Sequence, residues 1–232
     1  YDVMGPDAQQ ALARVVVSDV TKMNPGGVRY TALADERGRI LDDGTVSVLA
    51  PGHVRLTSSE PWLDWLLRHS RGLDVQIDDV SDQVAALSIQ GPAARDVVAG
   101  CVDFDVDRMR FFRVRPTRLG SLDVWLSRTG YTGDLGYEVF THRDNALAMW
   151  DAVMAAGEKW NLVPVGLDAM DITRIEAGFV LQGVDYFSAR NCFIDSRMST
   201  PDQVGLGWTV DLDRAPFLGQ EAIRAERQRG LG

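Results

Sequence analysis

Apolar and polar residues along the chain follow two spacings. Alternation with period two predicts strands over 28–33, 40–49 and 54–58. The first two are joined by Asp35-Glu36-Arg37-Gly38, a turn signal with glycine last. A helical spacing follows over 61–69, with Trp62, Leu63, Trp65, Leu66 and Leu67 as its apolar positions. The second part of the chain repeats this order. It has strands over 112–119 and 122–127 joined through Gly120, a strand over 136–141, and a helix over 145–156 with Leu147, Trp150, Val153 and Met154 on one face. Leu167, Met170, Ile172 and Ile175 then form the apolar stripe of a helix over 166–177, closed by Gly178. No period is visible over 178–203, and an irregular stretch of about 25 residues in a compact domain is often functional. Residues 205–210 read as a strand and 219–229 as a charged helix.

An internal echo explains the repeated order. Val3-Met4-Gly5-Pro6-Asp7-Ala8 resembles Ile89-Gln90-Gly91-Pro92-Ala93-Ala94. In both copies an apolar strand end meets Gly-Pro and then a helical pattern, over 7–16 and 93–99, with proline suited to a helix start. Each half therefore reads strand–helix–strand–strand–strand–helix. The predicted fold class is α+β, two related ferredoxin-like halves with antiparallel sheets and helices on one side. The expected domains are 1–75 with 166–232, and 76–165.

Composition narrows the functional classes. The 232 residues are 45% hydrophobic and 25% charged, an ordinary globular balance. The net charge is −9, and only Lys22 and Lys159 among the 24 basic residues are lysine. With no basic tract, a nucleic-acid partner is not expected. No apolar run approaches the roughly 18 residues of a spanning helix, so no membrane role is expected. The two cysteines, Cys101 and Cys192, share no motif and fit a reducing, cytoplasmic setting. The three histidines, His53, His69 and His142, are scattered without ligand spacing, so no metal site is expected. Glycine signatures for nicotinamide or P-loop nucleotides are missing as well.

Three segments carry candidate chemistry. In Arg128-Thr129-Gly130-Tyr131-Thr132-Gly133-Asp134-Leu135-Gly136-Tyr137-Glu138, three glycines at spacing three suit a plain hairpin or a loop that admits a planar ligand. Glu138 sits among Tyr137, Val139 and Phe140, and a carboxylate accepts two parallel N–H bonds from an amidine-like edge such as that of a 2-amino-4-oxo-pterin. Tyr131 offers a stacking face or a hydroxyl. In Gly38-Arg39-Ile40-Leu41-Asp42-Asp43-Gly44, adjacent aspartates on a strand face opposite sides. One of them points inward, where it needs a partner or a function, unless both lie at a solvated strand end. Arg174, with Asp171 or Glu176, reads as a structural ion network.

Taken together, these segments resemble the glycine cleavage T-protein (aminomethyltransferase) superfamily. The run 127–138 is similar to its folate-binding signature, and Arg37-Gly38-Arg39-Ile40-Leu41-Asp42-Asp43 to its double-aspartate strand. Ser88-Ile89-Gln90-Gly91-Pro92, Arg174-Ile175-Glu176-Ala177-Gly178, Gly205-Leu206-Gly207-Trp208 and Phe217-Leu218-Gly219-Gln220-Glu221-Ala222 resemble further elements, collinear over nearly the whole chain. The resemblance implies a tetrahydrofolate-dependent one-carbon transferase with the pterin in a central cavity between the related halves. By the same resemblance, Glu138 grips the pterin edge and Tyr131 lines its pocket. Asp43 sits beside the reacting folate nitrogen and the one-carbon donor, Tyr30 is a pocket tyrosine, and Phe111 and Phe112 form an aromatic wall. The expected partners are a small one-carbon donor and either a partner subunit or a C-terminal β-barrel domain lying beyond this chain, which is expected to be a fragment.

Two departures separate the chain from aminomethyltransferases proper. Met170 stands where they carry an arginine, and Thr57-Ser58-Ser59-Glu60 where a strand ends in Asn-Ala. Both point to a demethylase-like relative. A non-catalytic folate-binding branch is marked by a motif like K-G-C-Y-x-G-Q-E, whereas Phe217-Leu218-Gly219-Gln220-Glu221 lacks the cysteine. A folate domain in a larger demethylating assembly is the other alternative.

Overall fold

The computed structural model describes residues 1–230. Packing divides the chain into two units, Tyr1–Asp79 with Val180–Gly232, and Val80–Phe179. The helix Leu167–Glu176, which the expected domain bounds place with the first half, falls in the second unit.

In the first unit the chain forms β1 (Asp2–Met4), α1 (Ala8–Ala13), β2 (Val28–Ala34), β3 (Ile40–Ala50), β4 (His53–Ser58), α2 (Leu63–His69) and β5 (Gln76–Asp78). The strands make one antiparallel sheet in the order β2-β3-β4-β1-β5. One face of the sheet packs through Val3, Leu33, Leu41, Val46, Val48, Val54 and Leu56 against Leu12 of α1, and against Trp62 and Leu66 around α2. Ala32, Ala34 and Ile40 join a second cluster with Tyr186, Leu206, Phe217 and Ile223 from the chain's last part, which ends in α6 (Gln220–Gln228). Residues 180–206 are largely irregular, as the sequence pattern predicts, but the strand expected over 205–210 is a turn and a short 3-10 helix, Gly207–Thr209.

The second unit contains β6 (Val84–Gln90), α3 (Ala94–Ala99), β7 (Val114–Leu119), β8 (Leu122–Ser127), β9 (Gly136–His142), α4 (Ala146–Gly157) and α5 (Leu167–Glu176). Its antiparallel sheet runs β6-β9-β8-β7. Ile89, Val124, Leu126, Tyr137 and Val139 meet Val97 and Val98 of α3, and Met149 and Val153 of α4. Leu147 and Trp150, assigned to that face by spacing, are instead exposed.

The two sheets share one plan. Replacing β1, β2, β3 and β4 by β6, β7, β8 and β9 converts the order of the first four strands of one sheet into that of the other. The echo lies at the same place in both. Gly5 and Gly91 have φ of 131° and 112°, a region open to glycine because it has no Cβ. Each follows the strand and precedes the first helix of its unit.

Candidate functional site

The adjacent aspartates of β3 separate as strand geometry requires. Asp42 lies opposite Leu33 and Asp43 opposite Ala32, so they point to the two faces of the sheet. Asp42 is fully buried. Its Oδ2 accepts from the Ser59 amide (3.1 Å), the Glu60 amide (3.0 Å) and Trp62 Nε1 (2.7 Å), and its Oδ1 from Ser59 Oγ (2.7 Å) and the Asp43 amide (2.8 Å). Five donors saturate the carboxyl group, which is how a buried polar group becomes tolerable. Asp42 is therefore an internal anchor for the segment leading into α2, and Ser59 and Glu60 of the departure noted above are its donors.

Asp43 is half-buried on the opposite face. Tyr30 Oη donates to its Oδ2 at 2.7 Å, and Tyr186 Oη makes a short bond to its Oδ1. Burial pushes the Asp43 carboxyl above the usual range, against the two phenol hydrogen bonds. The Tyr30 ring stacks on Trp208, with centroids 5.9 Å apart and planes at 27°. Trp208 is 71% exposed and Tyr186 is 1% exposed. The structure thus brings Asp43 together with the expected Tyr30, and adds Tyr186 and Trp208. Sequence reasoning noted Tyr186 only as one residue of the long irregular stretch, and Trp208 only within a family motif. The only signal available for either was an aromatic residue within a segment lacking periodicity.

In the second unit, Glu138 projects from β9 on the face away from Tyr137 and Val139, which are in the core. It lies directly across from Ser127 on β8 and from Ser88 on β6. Its one hydrogen bond among the described residues is a short one from Thr129 Oγ1, and the Ser127 hydroxyl lies 2.7 Å from that Thr129 oxygen. Burial pushes the Glu138 carboxyl upward, with Thr129 opposing. A half-buried carboxylate with one neutral donor and no cation among the described residues keeps most of its acceptor capacity for something else.

The glycines beside it have a local reason. A Cβ on Gly130 would come within 2.0 Å of Gln90 Oε1, and one on Gly136 within 1.7 Å. The Gln90 side chain lies over both, donating Nε2 to Ser88 Oγ at 3.0 Å and to Thr129 O at 3.3 Å. The residue before the Gly91 echo thus packs directly on the glycine-rich loop. Tyr131, half-buried, stacks on Phe179 with centroids 5.7 Å apart and planes at 18°. Phe112 has φ of 53°, an uncommon conformation for an aromatic residue, and meets Phe111 edge-on at 4.7 Å. Its amide donates to Arg128 O at 3.1 Å, tying the pair to the start of the same loop.

Arg174 behaves as the ion-network reading requires. It is 1% exposed and pairs with Asp171 through Nε (2.7 Å) and Nη2 (2.6 Å). The expected apolar stripe of α5 is not buried, since Leu167, Ile172 and Ile175 are exposed. Among the described residues, no group of three or more His, Cys, Asp or Glu is placed to hold a metal ion, and no helix is long and apolar enough to cross a membrane.

Comparison with known proteins supplies the remaining context. The family described as the GCVT N-terminal domain matches residues 1–214. An aminomethyltransferase of Halothermothrix orenii is 34% identical over 233 residues, covering 99% of this chain and 62% of that protein. A trimethylamine-oxide aldolase of Ruegeria pomeroyi is 33% identical over 236 residues, covering 96% of this chain and 29% of that protein. The crystal structure of glycine cleavage system aminomethyltransferase T from Bartonella henselae shares the fold with a TM-score of 0.84 at 26% identity, over 98% of this chain and 60% of that one. The chain therefore spans about three fifths of the length of the aminomethyltransferases it matches.

Proposed function

We propose, from the premise that this chain belongs to the GCVT N-terminal domain family, that it carries out tetrahydrofolate-dependent one-carbon transfer. The donor is a small methylated or aminomethyl compound. The observation that carries the reading is Glu138, a half-buried carboxylate on a central strand of its sheet with a single neutral donor among the described residues. Such a group fits the paired N–H edge of a pterin, as carboxylates fit guanidinium. Tyr131 and Phe112 are proposed to border the same ligand, since Tyr131 lies within the loop that Glu138 closes and the Phe112 amide is bonded to the start of that loop at Arg128 O.

Tetrahydrofolate, when bound, supplies the nitrogen that accepts the one-carbon unit. Asp43, desolvated and held by Tyr30 and Tyr186, stabilises positive charge developing nearby and takes up a proton on its carboxylate oxygen. Tyr30 keeps that carboxylate oriented. Methyl transfer to yield a demethylated product is the finer reading, supported by Met170 standing where aminomethyltransferases carry arginine. A reducing compartment such as the cytoplasm belongs to the same reading, supported by Cys101 and Cys192 as free thiols.

A second reading has its own support. The match to trimethylamine-oxide aldolase covers only 29% of that protein, so this fold also serves as one part of a much longer chain. Here it would be the folate domain of a larger demethylating assembly.

The deciding experiment is tetrahydrofolate titration of the wild type and of Glu138→Ala, followed by a screen of methylated and aminomethyl donors with products weighed by mass. We expect saturable binding that Glu138→Ala abolishes in a folded protein, and 5-methyl-tetrahydrofolate as product. Unchanged affinity in the variant refutes the pterin assignment, and 5,10-methylene product refutes direct methyl transfer in favour of aminomethyl transfer or of a demethylating assembly that hands on an oxidised carbon.

A further inference from the structure

The irregular segment after Val180 has a specific attachment to β3. The Ala189 amide donates to Ile40 O at 3.0 Å, and Gln182 bridges Tyr186 in parallel register. Gln182 also reaches Glu60, with Nε2 3.2 Å from Oε1, and its Oε1 makes a short contact with Ser59 Oγ. Ser59 and Glu60 are the residues whose amides Asp42 holds. A chain of polar contacts therefore runs from Asp42 through Ser59 to the Gln182 side chain; the next residue's amide, Gly183 N, donates to Tyr186 O at 2.7 Å, and the Tyr186 hydroxyl returns to the neighbouring aspartate, Asp43. The Tyr186 ring is packed with Ala32, Ile40, Leu206, Phe217 and Ile223, so its hydroxyl has a fixed direction.

We infer that Tyr186 is a positioning residue for Asp43. It holds one carboxylate oxygen while Tyr30 holds the other, so that the charge of Asp43 is fixed in orientation and kept available by neutral donors rather than by a cation. The inference rests on the reading of Asp43 as the proton-handling group, and extends it to a residue in a part of the chain without regular structure. A cation beside Asp43 would cancel the charge meant for the reaction. Two phenols orient the group without cancelling it, and a hydroxyl bonded to a carboxylate favours its ionised form. The groups acting on Asp43 are Tyr186, Tyr30 and, on its own strand, Asp42, which as a like charge works against ionisation. Removing one phenol leaves burial and Asp42 less opposed, so the Asp43 carboxyl holds its proton to higher pH.

The test is Tyr186→Phe, which keeps the packed ring and deletes the hydroxyl. In full-length chain labelled with carboxyl-13C aspartate, without ligand, the Asp43 resonance is identified by its loss in Asp43→Asn. We expect its midpoint to rise in Tyr186→Phe by about one pH unit, a tenfold change in proton affinity. The acid limb of kcat against pH should move upward with it, with tetrahydrofolate affinity unchanged. Tyrosine replaced by 3-fluorotyrosine at 186, a stronger donor, should move the midpoint down. An Asp43 midpoint identical in all three proteins, with only thermal stability altered, overturns the inference. If the midpoint moves but no donor gives turnover, the inference stands and the transferase reading fails.

Discussion

Arg55 and Glu138 stand at matching register positions in the two units, and the chain has solved the two positions oppositely. Arg55 on β4 lies directly across from Asp2 on β1, and Glu138 on β9 directly across from Ser88 on β6. Asp2 and Ser88 precede Gly5 and Gly91 by the same interval. In the first unit the position is closed internally, since Arg55 Nε and Nη2 reach Asp2 Oδ1 and Oδ2 at 2.6 and 2.8 Å. In the second unit the carboxylate is on the other strand and its neighbour is an exposed serine. The paired geometry proposed for a pterin at Glu138 is thus one that the duplicated strand pair already supports between its own side chains.

That comparison yields the first expectation. Glu138→Arg combined with Ser88→Asp rebuilds the Arg55–Asp2 pair in the second unit. The double variant should unfold at a higher temperature than Glu138→Arg alone and bind no tetrahydrofolate. Thermal melts and a binding titration on the same samples check both halves of this.

The Asp2–Arg55 pair should itself be stabilising in a pH-dependent way. Burial resists ionisation of Asp2, but Arg55, with His53 Nε2 3.1 Å away, outweighs it and holds the carboxyl below its usual value of 3.8. A depressed folded-state value means the unfolded chain binds the proton more readily. The contribution is therefore complete above about pH 4 and fades as pH falls through the lowered value. Asp2→Asn, which leaves the half-buried Arg55 guanidinium without its carboxylate, should cost on the order of 1–2 kcal/mol at pH 7. Denaturant melts at pH 7 and pH 3 should show the gap between variant and wild type narrowing at the lower pH.

The two aspartates of β3 should separate cleanly on substitution. Asp42→Asn turns one acceptor oxygen into a donor facing N–H groups, and an unsatisfied buried polar group costs about 1–3 kcal/mol. Its main effect should be on the unfolding midpoint. Asp43→Asn should leave the melt close to wild type and bind tetrahydrofolate, while turnover falls about 100-fold or more, the range for loss of a positioned acid–base group. Equal losses of stability in both variants would count against assigning them different roles.

Gly136→Ala probes the loop. The new methyl would meet the end of the Gln90 side chain, which is flexible and can move, but only by leaving Ser88 and Thr129. We expect a modest stability loss of about 1 kcal/mol and weaker tetrahydrofolate binding. Gly136→Ala with Gln90→Ala should recover stability without recovering binding.

The plan of the fold was legible because its signals are local. Gly-Pro after an apolar strand end marks the same corner twice, and the turn 35–38 and Gly120 delimit hairpins. The opposite facing of Asp42 and Asp43 follows from strand periodicity alone. What spacing could not reveal depends on partners distant in sequence. β5 is three residues long, too short for a period to register. The apolar positions of α5 suggest a buried stripe, whereas the buried residue there is Arg174, made tolerable by Asp171. Tyr186 sits in a segment with no periodicity, and its role emerges only once its hydroxyl meets a strand 143 residues earlier.

The first unit is made of two stretches of chain separated by the whole of the second. During synthesis the sheet carrying Asp43 emerges early, but Tyr186, Leu206, Phe217 and Ile223, which cover its second face, emerge only after the continuous second unit is finished. Long-range pairings of this kind form late, and domains tend to fold in order of emergence. A nascent chain halted before Val180 would therefore hold a completed second unit and a sheet with one bare face. The Asp43 clamp would be among the last features of the protein to come into existence.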